Sequence, residues 1–125
     1  MGIEENKAAI GRFLSREVFF GGALAVVDEV FAPDVVWRSP GNGDEVSRGT
    51  DAIKDELNRF DEGEIVILEQ IAEGESVATR YRLELPWGIY VGVTLSRFAD
   101  GKIQEYRVVV THDEDLYRRA AKGHN

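Results

Sequence analysis

Cysteine is absent from this 125-residue chain, which excludes a disulfide framework, a thiol nucleophile and a thiolate-bound metal. Histidine occurs only at His112 and His124, without the fixed ligand spacing of a metal cluster, so no metal is expected. Basic residues are in deficit. Fifteen Lys and Arg against twenty-three Asp and Glu leave a formal charge of −8. A nucleic-acid partner, which needs a concentrated basic surface, is therefore not expected. Arg118, Arg119 and Lys122 do gather near the end, where they suit the negative pole of a helix. Long apolar runs are missing too. No stretch approaches the roughly 20 residues of a membrane helix, and no basic segment leads into an apolar run as in a signal peptide. A soluble, cytoplasmic protein without membrane contact is the expectation. Neither a Gly-x-Ser-x-Gly elbow nor a phosphate loop occurs; Gly41-Asn42-Gly43 reads as a turn. No cofactor is implied.

What is present is one ordinary domain, spanning 1–125. A hydrophobic fraction of 43% with 30% charged residues is globular, and the length supports a single core. Ile3, Ile10, Phe13, Leu14 and Val18 recur at helical spacing and predict a first helix to about Phe19, stopped by Gly21-Gly22. Leu24, Val27 and Phe31 predict a second, short helix closed by Ala32-Pro33-Asp34. Val35-Val36-Trp37 is β-branched and aromatic, a strand. Ser39 to Arg48 carries a proline and two glycines and reads as a loop. Thr50 is placed to cap a third helix, with Ile53, Leu57 and Phe60 on one face.

After residue 64 the period changes. Ile65 to Leu68 is a continuous apolar run turned by Glu73-Gly74-Glu75. Val77, Thr79, Tyr81, Leu83 and Leu85 alternate with Arg80, Arg82 and Glu84, a strand with one wet face. Pro86-Trp87-Gly88 turns into a strand from Ile89 to Phe98. Asp100-Gly101 predicts a tight hairpin before a last strand from Ile103 to about Thr111, and Asp113 to Ala121 is a candidate closing helix. Helices first and an antiparallel meander afterwards make an α+β fold with helices on one sheet face.

Gly22 to Val27, then FAPDVVW from Phe31, Arg48-Gly49 with Asp51-Ala52-Ile53, and RFADGKI from Arg97 occur in an order that resembles the SnoaL-like branch of the nuclear transport factor two superfamily, which includes ketosteroid isomerases. The resemblance implies a cone: about three N-terminal helices in a strongly curved, mainly antiparallel sheet, as in cystatin-like folds. It also implies an apolar pocket for a small hydrophobic ligand, and a homodimer through the outer sheet face. Strand alternation assigns Trp37, Ser39, Thr79, Tyr81, Leu83 and Leu85 to the inside, and on the last strand Tyr106, Val108, Val110 and His112 to one face. A solid core filled by the same side chains is the plain alternative.

The resemblance also says where chemistry would sit. Ketosteroid isomerases use a carboxylate base with a tyrosine and a protonated aspartate; the matching positions here are Ser39, Ser15 and Thr94. SnoaL-like cyclases and limonene epoxide hydrolases share an aspartate on the last strand, and that position is Val108. None of these four can act as a carboxylic acid. The epoxide hydrolases' Arg-x-Asp pair has a counterpart in Arg82 and Glu84, which alternation puts on the wet face. Tyr81, Tyr106 and His112 remain as candidate catalytic residues, with Ser15, Trp37, Ser39, Thr79, Leu83, Thr94, Val108 and Val110 as pocket lining. A displaced carboxylate could also supply the base. The functional readings are an isomerase or cyclase moving a proton on a hydrophobic carbonyl or polyketide-like compound, a non-catalytic binding module, an inactive or re-engineered scaffold, and an epoxide hydrolase-like enzyme.

Overall fold

Amphipathic spacing organises the N-terminal third. A computed structural model describes residues 2–39 and 45–110. Ile3–Phe13 forms α1, with Ile10 and Phe13 buried. The Glu5 carboxylate accepts a hydrogen bond from the Gly2 N–H at 3.2 Å, and Glu4 and Glu5 occupy the positive end of the helix dipole. Arg12 faces outward and pairs with Glu29.

The single long helix expected to Phe19 is instead two. Ser15 stands between α1 and a one-turn α2 (Arg16–Phe19); its Oγ donates to the Arg12 carbonyl at 2.8 Å and accepts from the Val18 N–H at 3.4 Å. A serine hydroxyl competes for backbone partners and favours a cap over a helix interior. Hydrophobic spacing alone does not register that competition.

Ala25–Val30 forms α3 and passes directly into β1 (Phe31–Arg38). Ala32-Pro33-Asp34, expected to close the helix, lies inside the strand. The β1 register shifts between Phe31 and Val36, an irregularity that accommodates a proline lacking an N–H. Part of the expected loop is also strand: β2 (Ser47–Arg48) pairs antiparallel with Trp37 and Val36. Asp51–Leu57 forms α4. Thr50 does not cap it with its side chain; the hydroxyl donates to Asp28 at 3.3 Å. Lys54 binds the same carboxylate at 2.8 Å, tying α4 to α3.

The meander follows as expected: β3 (Glu64–Glu73), β4 (Ser76–Leu85), β5 (Gly88–Ala99) and β6 (Lys102–Val110). Asp100 and Gly101 make the last hairpin with φ of 52° and 82°, the two positive angles that a tight two-residue turn requires. The six strands lie in the order β2-β1-β6-β5-β4-β3, antiparallel except where β1 meets β6. The helices pack on this mixed sheet, completing an α+β fold. Along β4, Val77, Thr79, Tyr81, Leu83 and Leu85 are all buried. The wet face carries charge pairs, Arg80 with Glu69 at 2.8 Å and Arg82 with Glu84 at 2.6 Å. Arg82 and Glu84 therefore lie on the opposite face from the core. The closing-helix segment lies outside the described residues.

Candidate active site

Cross-strand register explains how the inner face is laid out. Thr79 pairs with Thr94, and Thr94 with Val108. Trp37 pairs with Tyr106 and Arg38 with Arg107, so one more step along β1 sets Ser39 beside Val108. Ser39, Val108, Thr94 and Thr79 thus share one rung across the sheet. Three of the positions whose expected acids are missing lie on this rung, and Ser39 and Thr94 are completely buried in it.

The carboxylate comes from the other side of the core. Glu56 on α4 reaches down to Ser39, whose hydroxyl lies 2.9 Å from Oε2 and 3.0 Å from Oε1. The Ser39 O–H donates its one proton to this carboxylate. Glu56 shares a helix face with Ile53, Leu57 and Phe60, at the i, i+3, i+4, i+7 spacing of a buried stripe. Burial pushes its pKa up to about 7, although the Ser39 hydrogen bond and the positive charge of Arg59 oppose the rise. A carboxyl titrating there exists in both forms at neutral pH, as a general acid–base group must.

Glu56 borders a small cavity of about 30 Å³, together with Tyr81, Leu83, Tyr106 and Val108 from the sheet and Phe13 from α1. That space accommodates about one water molecule. The Tyr81 ring lies over Gly92, its cross-strand partner; a Cβ at that glycine would come within 2.6 Å of the Tyr81 Oη. Burial, and next the charge of Glu56, raise the Tyr81 pKa, so its phenol stays protonated and available as a donor. Tyr106 is held edge-on by Phe31 at 5.1 Å and Phe13 at 5.8 Å.

Of the residues singled out from sequence, Tyr81, Tyr106, Leu83 and Val108 border this cavity, and Ser39 binds the acid at its edge. The others are elsewhere. Ser15 is engaged in capping α2. Trp37 is buried one rung away, its indole N–H without a hydrogen-bond partner among the described residues. Thr79 accepts from the Gln70 amide at 3.3 Å, and the Thr94 hydroxyl is unpartnered among the described residues. His112 and the Val110 side chain lie outside what the structure describes. Glu56 was not singled out from the sequence. The signal for it is an acid on the apolar stripe of Ile53, Leu57 and Phe60, masked by Asp55 and the other charges of that helix.

Among the described residues, no group of three His, Asp or Glu side chains could hold a metal, and no helix is long and apolar enough to cross a membrane. A larger concavity of about 650 Å³ lies against the sheet, bordered by Ile71, Leu95 and Arg107. Its Arg97 and Glu105 pair with each other, and it is separate from Glu56.

Residues 10–106 match the SnoaL-like domain. Among solved structures, the chain is similar to a protein of Jannaschia sp. CCS1 provisionally described as a SnoaL-like polyketide cyclase, with a TM-score of 0.74 and 21% identity over 94% of this chain and 91% of that one. It is also similar to IdmH of Streptomyces antibioticus, provisionally described as a polyketide cyclase, with a TM-score of 0.70 and 19% identity over 94% and 98% of the two chains. A de novo designed protein with a curved β-sheet gives a TM-score of 0.77 at 15% identity, covering 98% of both. No curated protein matches. At these identities the structural likeness speaks for the fold.

Proposed function

This chain belongs to the SnoaL-like family, and from that premise we propose that it is a cofactor-independent acid–base enzyme acting on a small hydrophobic carbonyl compound, with Glu56 as the proton carrier. The observation that carries this reading is the half-buried Glu56 carboxylate, fixed by Ser39 at the edge of an apolar chamber that Tyr81 also borders.

The ionised Glu56 takes a proton from the carbon next to the substrate carbonyl. The C–H electron pair moves into the carbon–carbon bond, and the carbonyl π pair moves onto oxygen. The Tyr81 O–H donates a hydrogen bond to that oxyanion, strengthened by the low polarity of its surroundings. Glu56 then returns the proton at another carbon for an isomerisation. In a cyclisation, the enolate carbon instead attacks a second carbonyl of the same molecule, and the proton goes to the new alkoxide. Both routes balance without an oxidant or a metal.

Loss of α-deuterium from deuterated 2-tetralone, followed by proton NMR, tests this without knowledge of the natural substrate. Glu56→Gln is expected to lower the rate by about 10²–10⁴, and Tyr81→Phe by about 10²–10³. Exchange at the wild-type rate in folded Glu56→Gln protein would sink the proposal. We also assign the outer sheet face, where Ile71 is 66% and Leu95 48% exposed, to a second copy of the chain. A monomer in sedimentation at high concentration would contradict that assignment.

A further inference from the structure

Phe19 and Phe60 stand between two spaces. On one side is the 30 Å³ chamber at Glu56; on the other is a vestibule of about 270 Å³ bordered by Phe20, Leu24, Asn58 and Asp61. Both rings border both spaces. Their centroids are 6.2 Å apart with planes inclined by 30°, and Leu57 borders both spaces with them.

We infer that this pair is the entrance to the Glu56 chamber, with Phe19 as the door and Phe60 as the post, and that it restricts the site to flat, uncharged, apolar compounds. The inference rests on the acid–base reading of Glu56 and adds the route and the substrate class. Size supports it. The chamber alone is far below the roughly 300–1,000 Å³ of small-molecule pockets, whereas chamber and vestibule joined reach the lower end of that range.

The two rings differ in how they are held. Phe60 is 7% exposed, and its N–H bonds the Leu57 carbonyl at 3.2 Å in the turn that follows α4. Phe19 ends the single turn of α2, between the break at Ser15 and Gly21-Gly22. Gly22 has a φ of 75° with open space where a Cβ would stand. One helical turn has little cooperative stability of its own, so moving Phe19 disturbs few backbone bonds. Phe20 braces the post, its ring 6.4 Å from Phe60 and nearly perpendicular.

Chemistry selects what passes. A charged group would lose its hydration between the two rings, and their negative faces offer an anion no attraction. Behind the door an anion would in addition meet the Glu56 carboxylate. A planar ring system can instead slide along the ring faces and stack on them as it passes.

Fluorescence titration of the full chain with 2-naphthol tests the door. Phe19→Ala should bind the probe at least tenfold more tightly than wild type, and sodium 2-naphthalenesulfonate at least tenfold more weakly than 2-naphthol. Unchanged 2-naphthol affinity in Phe19→Ala protein that still unfolds cooperatively would overturn the inference, as would equal affinity for the anion. If Phe19→Ala does not fold, Phe19→Leu should give a gain of about threefold in the same direction, and no gain overturns the inference equally. The two readings fail separately. Tighter 2-naphthol binding alongside a fully active Glu56→Gln enzyme would keep the door and remove the acid–base role. No gain alongside an inactive Glu56→Gln enzyme would do the reverse.

Discussion

Ser39 donates its hydroxyl proton to Glu56, with both carboxylate oxygens within 3.0 Å. A serine at the position that the sequence resemblance assigns to a base thus anchors a carboxylate arriving from helix α4. Because Ser39 has no exposed surface, its hydroxyl cannot turn to solvent and must find its partner inside.

Ser39→Ala removes the contact that favours the ionised form of Glu56. The Glu56 pKa should therefore rise above its present value, and the pH–rate profile of 2-tetralone exchange should move to higher pH. Exchange at pH 6 should fall more than exchange at pH 9. An unshifted profile would mean that the hydrogen bond does not tune the acid.

Stability should carry the same signature. The Glu56 pKa is raised from 4.5 to about 7 on folding, so between these values the folded chain binds more protons than the unfolded one. The stabilisation from holding the proton is complete below about pH 4.5. It is lost as the pH rises through about 7, for a total of up to about 3 kcal/mol. Urea denaturation of wild type and Glu56→Gln at pH 5 and pH 8 checks this. The stability difference, Gln variant minus wild type, should grow toward pH 8; a constant difference would contradict the assignment.

Gly92 is predicted to be intolerant of a side chain. An added Cβ would meet the Tyr81 Oη at 2.6 Å and Cζ at 2.7 Å, and β4 cannot withdraw because its ladder to β5 is continuous from Ser76 to Leu85. Gly92→Ala should cost about 1–3 kcal/mol by thermal or urea unfolding, and should displace the Tyr81 hydroxyl. The double variant Gly92→Ala/Tyr81→Phe should be no less active than Gly92→Ala alone. If Gly92→Ala keeps full stability and activity, the placement of Tyr81 is wrong.

Periodicity made the sheet legible. Alternation from Val77 to Leu85 and the Asp100-Gly101 turn each follow from local geometry, and both appear in the structure. Local geometry failed where a residue had two competing uses. Ser15 fits a helix by spacing but caps one by chemistry, and Pro33 fits a helix stop yet sits in an irregular strand. Thr50 fits a cap but binds Asp28 across the fold. Glu56 is the extreme case. It lies between exposed Asp55 and buried Leu57; the helical stripe turns it toward the core, but its partner Ser39 comes from β1, a pairing across the fold that no linear pattern shows.

A pH titration of the Glu56 side-chain carboxyl carbon by NMR, assigned with Glu56→Gln, tests the central claim most directly. A midpoint near 7 is predicted, moving upward in Ser39→Ala. A midpoint near 4.5, unchanged by Ser39→Ala, would show an ordinary solvated glutamate and contradict the account.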